Sequence, residues 1–189
     1  MQAAFQTPVH DSQHSFRLIL QAMSEPGVKV TLPSVEANVS LQPATLAILL
    51  TLIDQDTRLW LDEAAQQQSL SEYLSFHCSA VLMDDSQFAD FAVITNTSSG
   101  VDFGRFYLGS EENPHESTTV IIQTVFQGER SRLVGPGIEH CRELPLGLPR
   151  YVLAQRQALS SLMPCGIDLI LVDGQDMIAL PRTTQIEVC

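Results

Sequence analysis

The stretch GIDLILVDGQDMIAL, residues 166–180, constrains the fold more than any other. It is an apolar run, an Asp-Gly turn and a second apolar run. It therefore predicts a β-hairpin that starts at Ile167 and turns at Asp173-Gly174. Thr118 to Phe126 predicts another strong strand, rich in β-branched residues, and Gln127-Gly128-Glu129-Arg130 is expected to turn it back into SRLV. Two hairpins thus fall in the second half of the chain.

Helical patterns separate these strands from others. Asp11 or Ser12 is placed to cap a helix whose apolar positions are Phe16, Ile19, Leu20 and Met23, ended by Pro26-Gly27. VKVTL alternates as a strand from Val28 to Leu32. Pro43 to Ile53 is apolar almost all round and predicts a buried helix. RLWL follows as a short strand. Ala64 to Phe76, with Leu70, Tyr73 and Leu74 on one face, predicts a helix. SAVLM and FAVIT are strand-like, Asp102 to Leu108 fits one or two helical turns, and residues 109–117 form a loop. Pro149 to Met163 is an amphipathic helix with Tyr151, Leu159 and Leu162 among its apolar positions. Helices alternate with strands throughout, so the expected class is α/β, with a mixed, partly parallel sheet covered by helices on both faces. No linker divides residues 1–189, which predicts one domain. At this length folding buries about 70% of the unfolded chain's surface.

Composition narrows the function classes. With 44% hydrophobic residues and a mean hydropathy of +0.08, the chain reads as globular. Its longest apolar stretch, Leu46 to Ile53, is interrupted by Thr51, well short of the roughly 20 residues that span a bilayer. MQAAFQTPVH has no basic n-region or apolar block, so a cytoplasmic location is expected. The formal net charge of −12 repels phosphate backbones and argues against nucleic acid. Nine of the ten basic residues are Arg, and Lys29 is the single Lys. Cys78, Cys141, Cys165 and Cys189 form no Cys-x-x-Cys pair and read as free thiols.

Several constellations test for chemistry. His10 and His14 are spaced i, i+4, but with a cap at Asp11 or Ser12 they need not share a face. His77-Cys78 and His140-Cys141 place neighbouring side chains in divergent directions, a poor basis for one ion. No nucleophile elbow, Walker loop or dinucleotide fingerprint is present. Gly135-Pro136-Gly137 either turns the chain or lets backbone approach a ligand or subunit closely. Leu180-Pro181-Arg182-Thr183-Thr184 has two readings. The Arg182 fork and the hydroxyls of Thr183 and Thr184 could hold a phosphate-like anion, or Arg182 could pair with one of the chain's 22 carboxylates. An anion grip would let Arg182 be removed with the fold nearly intact.

HDSQHSFRLILQAMSEPG, LAILLTLIDQDTRLW, RLVGPGI and GIDLILVDGQDMIALPRTT, in that order, resemble the PhnH family, the H subunit of the bacterial carbon–phosphorus lyase core complex. The resemblance covers the chain from about residue 5 onward. It implies a role in phosphonate use. Its implied partners are the other lyase subunits of the G, I, J and L types, and with the G, I and L subunits the family supports transfer of an alkylphosphonate to the ribose C1′ of ATP with release of adenine. The product is a ribose 1-phosphonate 5-triphosphate, whose carbon–phosphorus bond a separate iron–sulfur subunit breaks. The resemblance further implies a three-layer α/β/α fold similar to pyridoxal-phosphate-dependent transferases but without the cofactor, and a homodimer when isolated. Asp11, Gln13, Arg17, Gly135, Pro136, Gly137, Arg182, Thr183 and Thr184 match the family pattern and become candidates for a ligand or partner surface, including contact with ATP or a phosphonate. No catalytic or metal-binding residue is assigned. Lys29 alone could form a Schiff base, and its place after Pro26-Gly27 in a short strand suits that poorly. An assisting, non-catalytic subunit is favoured over a stand-alone small-molecule enzyme.

Overall fold

A computed structural model describes residues 4–188. The chain runs α1 (Pro8–Ser24), β1 (Lys29–Thr31), α2 (Pro43–Leu52), β2 (Arg58–Leu61), α3 (Gln68–Cys78), β3 (Val81–Met83), β4 (Phe91–Ile94), β5 (Thr119–Gln123), β6 (Arg130–Val134) and β7 (Arg142–Pro145). It continues through α4 (Arg150–Ala158), β8 (Asp168–Asp173), β9 (Asp176–Leu180) and β10 (Gln185–Val188). Seven strands form one sheet in the order β1-β9-β8-β5-β4-β2-β3. Its β8, β5, β4, β2 and β3 are parallel, while β9 and β1 add an antiparallel end. The expected mixed sheet and the Asp173-Gly174 hairpin are both present.

Both faces of this sheet are covered. Side chains alternate across a strand, so Ile121 and Ile170 face α1, α2 and α3, while Val120, Ile122, Leu169 and Leu171 face the other way. That second face is covered by α4, by the loop carrying Phe103 and Phe106, and by a small sheet ordered β10-β6-β7. Burial on two faces explains why β5 and β8 are apolar at every position except their ends.

The expected hairpin from Thr118–Phe126 into SRLV does not form. β5 lies between β4 and β8, and β6 pairs with β7 and β10. A strand buried on both faces belongs inside a sheet. In β6, exposed Arg130 and Arg132 alternate with buried Ser131 and Leu133, which suits a sheet with one face in water.

Two helices also depart from expectation. α1 starts at Pro8, after an N-cap at Thr7, so Asp11 is not the cap. Instead the Asp11 carboxylate accepts from the Thr7 N–H at 2.7 Å and from its hydroxyl at 2.8 Å. His10 and His14 therefore lie in one helix. Its inward face is Ser15, Ile19 and Ala22, whereas Phe16 and Leu20 are exposed. Small residues at positions 15 and 22 let α1 sit close to its neighbours, and the bulkier side chains turn outward. In α4 the inward residues are Val152, Leu153 and Arg156, while Tyr151 is exposed; the helix expected to reach Met163 ends at Ala158, and a 3₁₀ turn, Leu159–Leu162, carries the exposed Leu162. Between Asp102 and Leu108 there is only one 3₁₀ turn, Phe103–Arg105. Among the described residues no helix is long and apolar enough to cross a membrane. Cys78, Cys141 and Cys165 are free thiols, and Cys189 lies outside the described residues.

Candidate functional site

Six of the nine sequence-predicted residues, Gly135 to Gly137 and Arg182 to Thr184, meet at a junction between the two sheets. Gly137 has φ +82°, and a Cβ there would lie 2.1 Å from the Ser24 carbonyl oxygen. At Gly135 a Cβ would lie 2.9 Å from the Thr183 carbonyl oxygen. The Gly-Pro-Gly turn is thus wedged between the end of α1 and the Pro181–Thr184 turn. Arg142 reinforces the contact, its Nη1 donating to the carbonyls of Glu25 at 3.2 Å and Pro26 at 2.5 Å.

Arg182 is engaged from several directions. Its guanidinium donates to Asp168 Oδ2 at 2.6 Å and Oδ1 at 3.3 Å, and its backbone N–H donates to Oδ1 at 2.7 Å. Nη1 also donates to the Pro114 carbonyl. Both side chains of the pair are 15% exposed. The fork proposed for an anion is closed on a carboxylate, which makes Arg182 a latch within the fold. Thr183 is exposed, while Thr184 is buried with its hydroxyl unpartnered. Beside them Arg156 is 2% exposed, donates to the Pro181 carbonyl at 2.8 Å, and leaves Nε without a partner. Burial pushes its pKa down, with Arg182 adding to the effect and Asp168 opposing it.

Other candidates stand apart. Gln13 and Arg17 are exposed on α1. Among the described residues Arg17 shares no hydrogen-bond or ion-pair partner with Arg182. No group of three or more His, Cys, Asp or Glu side chains among the described residues could hold a metal ion. Lys29 sits on edge strand β1, 58% exposed, with Nζ 2.8 Å from Asp176 Oδ2. The hydrogen bond from Lys29 to Asp176 holds the ammonium above its ordinary pKa. A Schiff base needs the neutral amine in an enclosed site, so these residues do not fit pyridoxal phosphate.

The sheet offers a different site. From β2 the chain moves out to β3 on one side and returns to β4 on the other. Strand order therefore reverses at β2 and β4, and open α/β sheets bind ligands beyond the carboxyl ends of strands at such a point. A crevice of about 730 Å³ opens there. Its apolar wall includes Trp60, Ile94 and Phe106. The Arg105 guanidinium lies 4.4 Å from the centre of the Trp60 ring, and its Nε donates to Ser86 Oγ at 2.9 Å. Asp62, Glu63, Asp84 and Asp102 make the mouth acidic. Asp62 ties the turn after β2 to the loop after β4, accepting from the N–H groups of Ala65 at 2.9 Å and Thr95 at 2.6 Å. The acidic mouth disfavours free anions, and the exposed side of the Arg105 guanidinium, whose other side covers Trp60, suits a neutral planar group stacked on it. Reading the sequence alone assigned nothing within residues 62–115. The available signal was a polar residue directly after each short apolar strand, as in RLWLD and FAVIT.

Comparison with known proteins gives a consistent result. The family profile described as bacterial phosphonate metabolism protein (PhnH) matches residues 3–187. A Rhizobium meliloti (strain 1021) protein named alpha-D-ribose 1-methylphosphonate 5-triphosphate synthase subunit PhnH is 33% identical over 188 residues, covering 97% of this chain and 94% of that protein. A Stutzerimonas stutzeri protein, HtxG, named as a candidate C-P lyase subunit, is 31% identical over 179 residues, covering 93% of this chain and 86% of that protein.

Proposed function

The chain belongs to the PhnH family of bacterial phosphonate metabolism proteins, and from that premise we propose that it is a subunit of a ribose 1-phosphonate 5-triphosphate synthase within the carbon–phosphorus lyase system. In this reading it works with partner subunits in transferring an alkylphosphonate to the ribose C1′ of ATP with adenine release. It acts as a single α/β domain in the cytoplasm, similar in layering to the pyridoxal-phosphate-dependent transferases, and pairs with itself when isolated. Its part is to assist a neighbour's site. The observation that carries this is the use made of the signature residues. Gly135, Gly137 and Arg182 are engaged within the fold, and Arg182 has no free prong for a substrate. Displacement of adenine needs an acid near the base and stabilisation of positive charge at C1′. Among the candidates, Gln13, Arg17, Pro136, Gly137 and Thr183 are exposed, and of these the side chains of Gln13, Arg17 and Thr183 offer polar groups to a partner surface.

The test is reconstitution. The lone protein with ATP and methylphosphonate should release no adenine above a heat-killed control. Omitting it from the assembled subunits should abolish transfer. Adenine release by the isolated chain, lost when residues lining the crevice at β2 and β4 are substituted, would favour a stand-alone enzyme instead.

A further inference from the structure

A second cleft shares the loop after β4 with the acidic crevice. Asn96 faces that crevice, whereas Thr95 and Thr97 line this one. It has a volume of about 490 Å³ and opens beyond the carboxyl ends of β4 and β5. Gln42 and Pro149, which lie on its wall, are the residues immediately before α2 and α4. A helix start carries partial positive charge and N–H groups with no acceptor inside the helix. Neither helix has an acidic residue in its first turn to occupy them. In α4 the N–H groups of Val152 and Leu153 both reach the Pro149 carbonyl, while those of Arg150 and Tyr151 have no protein acceptor among the described residues.

Gln123, at the end of β5, supplies an independent observation. It lines the cleft and is 9% exposed. Its Oε1 accepts from the Gln42 N–H at 3.3 Å, and its Nε2 has no partner. The amide cannot be turned over, because two N–H groups would then face each other. Buried amide donors are nearly always satisfied, so this one calls for an acceptor from outside the chain. The one carboxylate at the rim, Glu129, is held by Arg150, whose Nε lies 2.8 Å from Glu129 Oε2.

We propose that this cleft binds a tetrahedral oxyanion, a phosphate or phosphonate group, through Gln123 Nε2 and the first N–H groups of α4, with the start of α2 adding its field. Helix starts accept such groups readily; here the donors come from Gln123 and α4, because Pro43 has no N–H and the Ala44 N–H of α2 is taken by the Gly174 carbonyl at 3.0 Å. The assignment rests on the subunit reading for its biological source and on Gln123 and the helix ends for its chemistry. A net charge of −12 works against any anion, so binding to the lone chain is weak and falls with added salt.

The test is an NMR titration of the full-length, nitrogen-labelled chain at low ionic strength. Inorganic phosphate, methylphosphonate and tripolyphosphate form separate arms, with chloride as control. Saturable shifts are expected at the Gln123 side-chain amide and at the backbone amides of Arg150 and Tyr151, and the tightest arm identifies the source. Gln127 is an exposed residue of the rim, so its substitution leaves packing intact. Gln127→Glu should weaken the interaction roughly threefold and Gln127→Lys should strengthen it by a similar factor. Absence of saturable shifts in all three arms, reproduction of them by chloride, or indifference to both substitutions would overturn the proposal. Because the titration uses the chain alone, its failure leaves the reconstitution test standing, and the reverse also holds.

Discussion

Replacing Gly137 by Ala should destabilise the protein by about 3 kcal/mol, from two separable contributions. The first is conformational: a φ of +82° suits glycine, and a side chain there costs about 1–2 kcal/mol. The second is steric. The new Cβ would lie 2.1 Å from the Ser24 carbonyl oxygen and 2.8 Å from Pro26 Cδ. Neither atom is the free end of a flexible side chain, so the Gly-Pro-Gly turn and the end of α1 must separate, at a further cost of about 1–3 kcal/mol. Gly174→Ala is the internal control. Its φ is +64° and no atom lies within 4 Å of an added Cβ, so only the conformational part applies. Urea unfolding of both variants should put Gly137→Ala about 2 kcal/mol below Gly174→Ala. For a domain of this size that corresponds to a melting point lower by roughly 4–8 °C. Equal stability of the two variants would refute the claim that this turn is wedged against α1.

Three further outcomes follow from the same geometry. Arg182→Ala should lower unfolding stability by about 3 kcal/mol, since it strands the Asp168 carboxylate and the Pro114 carbonyl; urea denaturation measures this, and near-wild-type stability would revive the free-anion reading. Arg156→Met should leave the melting point unchanged or raised, because it removes a buried charge with a partnerless Nε while the Pro181 carbonyl keeps the Thr184 N–H at 2.9 Å; a loss as large as that of Arg182→Ala would contradict it. The Asp176 carboxyl is held below its ordinary 3.8 by hydrogen bonds from Lys29 and then Thr31, so its contribution is fully present above that pH and lost as pH falls below it. Asp176→Asn should therefore lose less stability than wild type between about pH 5 and about pH 3 in chemical denaturation, and parallel pH profiles would show that the pair contributes nothing.

The strands that read correctly from sequence are those whose own composition decides their environment. Ile167 to Leu180 is apolar on both faces, and its turn is specified by Asp173-Gly174, so local residues fix both conformation and register. Partner choice is not local. Nothing in TTVIIQTVF states that it lies beside FAVI and DLILV, and the nearby Gly128 made a hairpin with SRLV look natural. Helix faces failed for a related reason. Counting apolar residues selects Phe16 and Leu20, whereas close packing selects the smaller Ser15 and Ala22. Arg182 and Gln123 mark the deeper limit. A guanidinium reads alike whether its fork is free or closed on a carboxylate 14 positions away. Gln123 reads as one polar position in a strand until its amide is found without an acceptor.

The arrangement of the large sheet has a consequence for the order of synthesis. Helix α1 packs on β9, and Thr31 in β1 hydrogen-bonds to Asp176, a residue 145 positions later. β5 likewise has only one strand neighbour until β8 emerges. At roughly 5–20 residues per second, the ribosome needs about 7 to 30 s to join Thr31 to Asp176. Until then the side of α1 that meets β9 and one edge of β5 remain uncovered, although α2 already packs on α1, so folding cannot settle the N-terminal half first. Nascent chains halted before Asp168 should remain open to protease across both regions, and protection should arrive for the whole sheet together once β9 has left the tunnel.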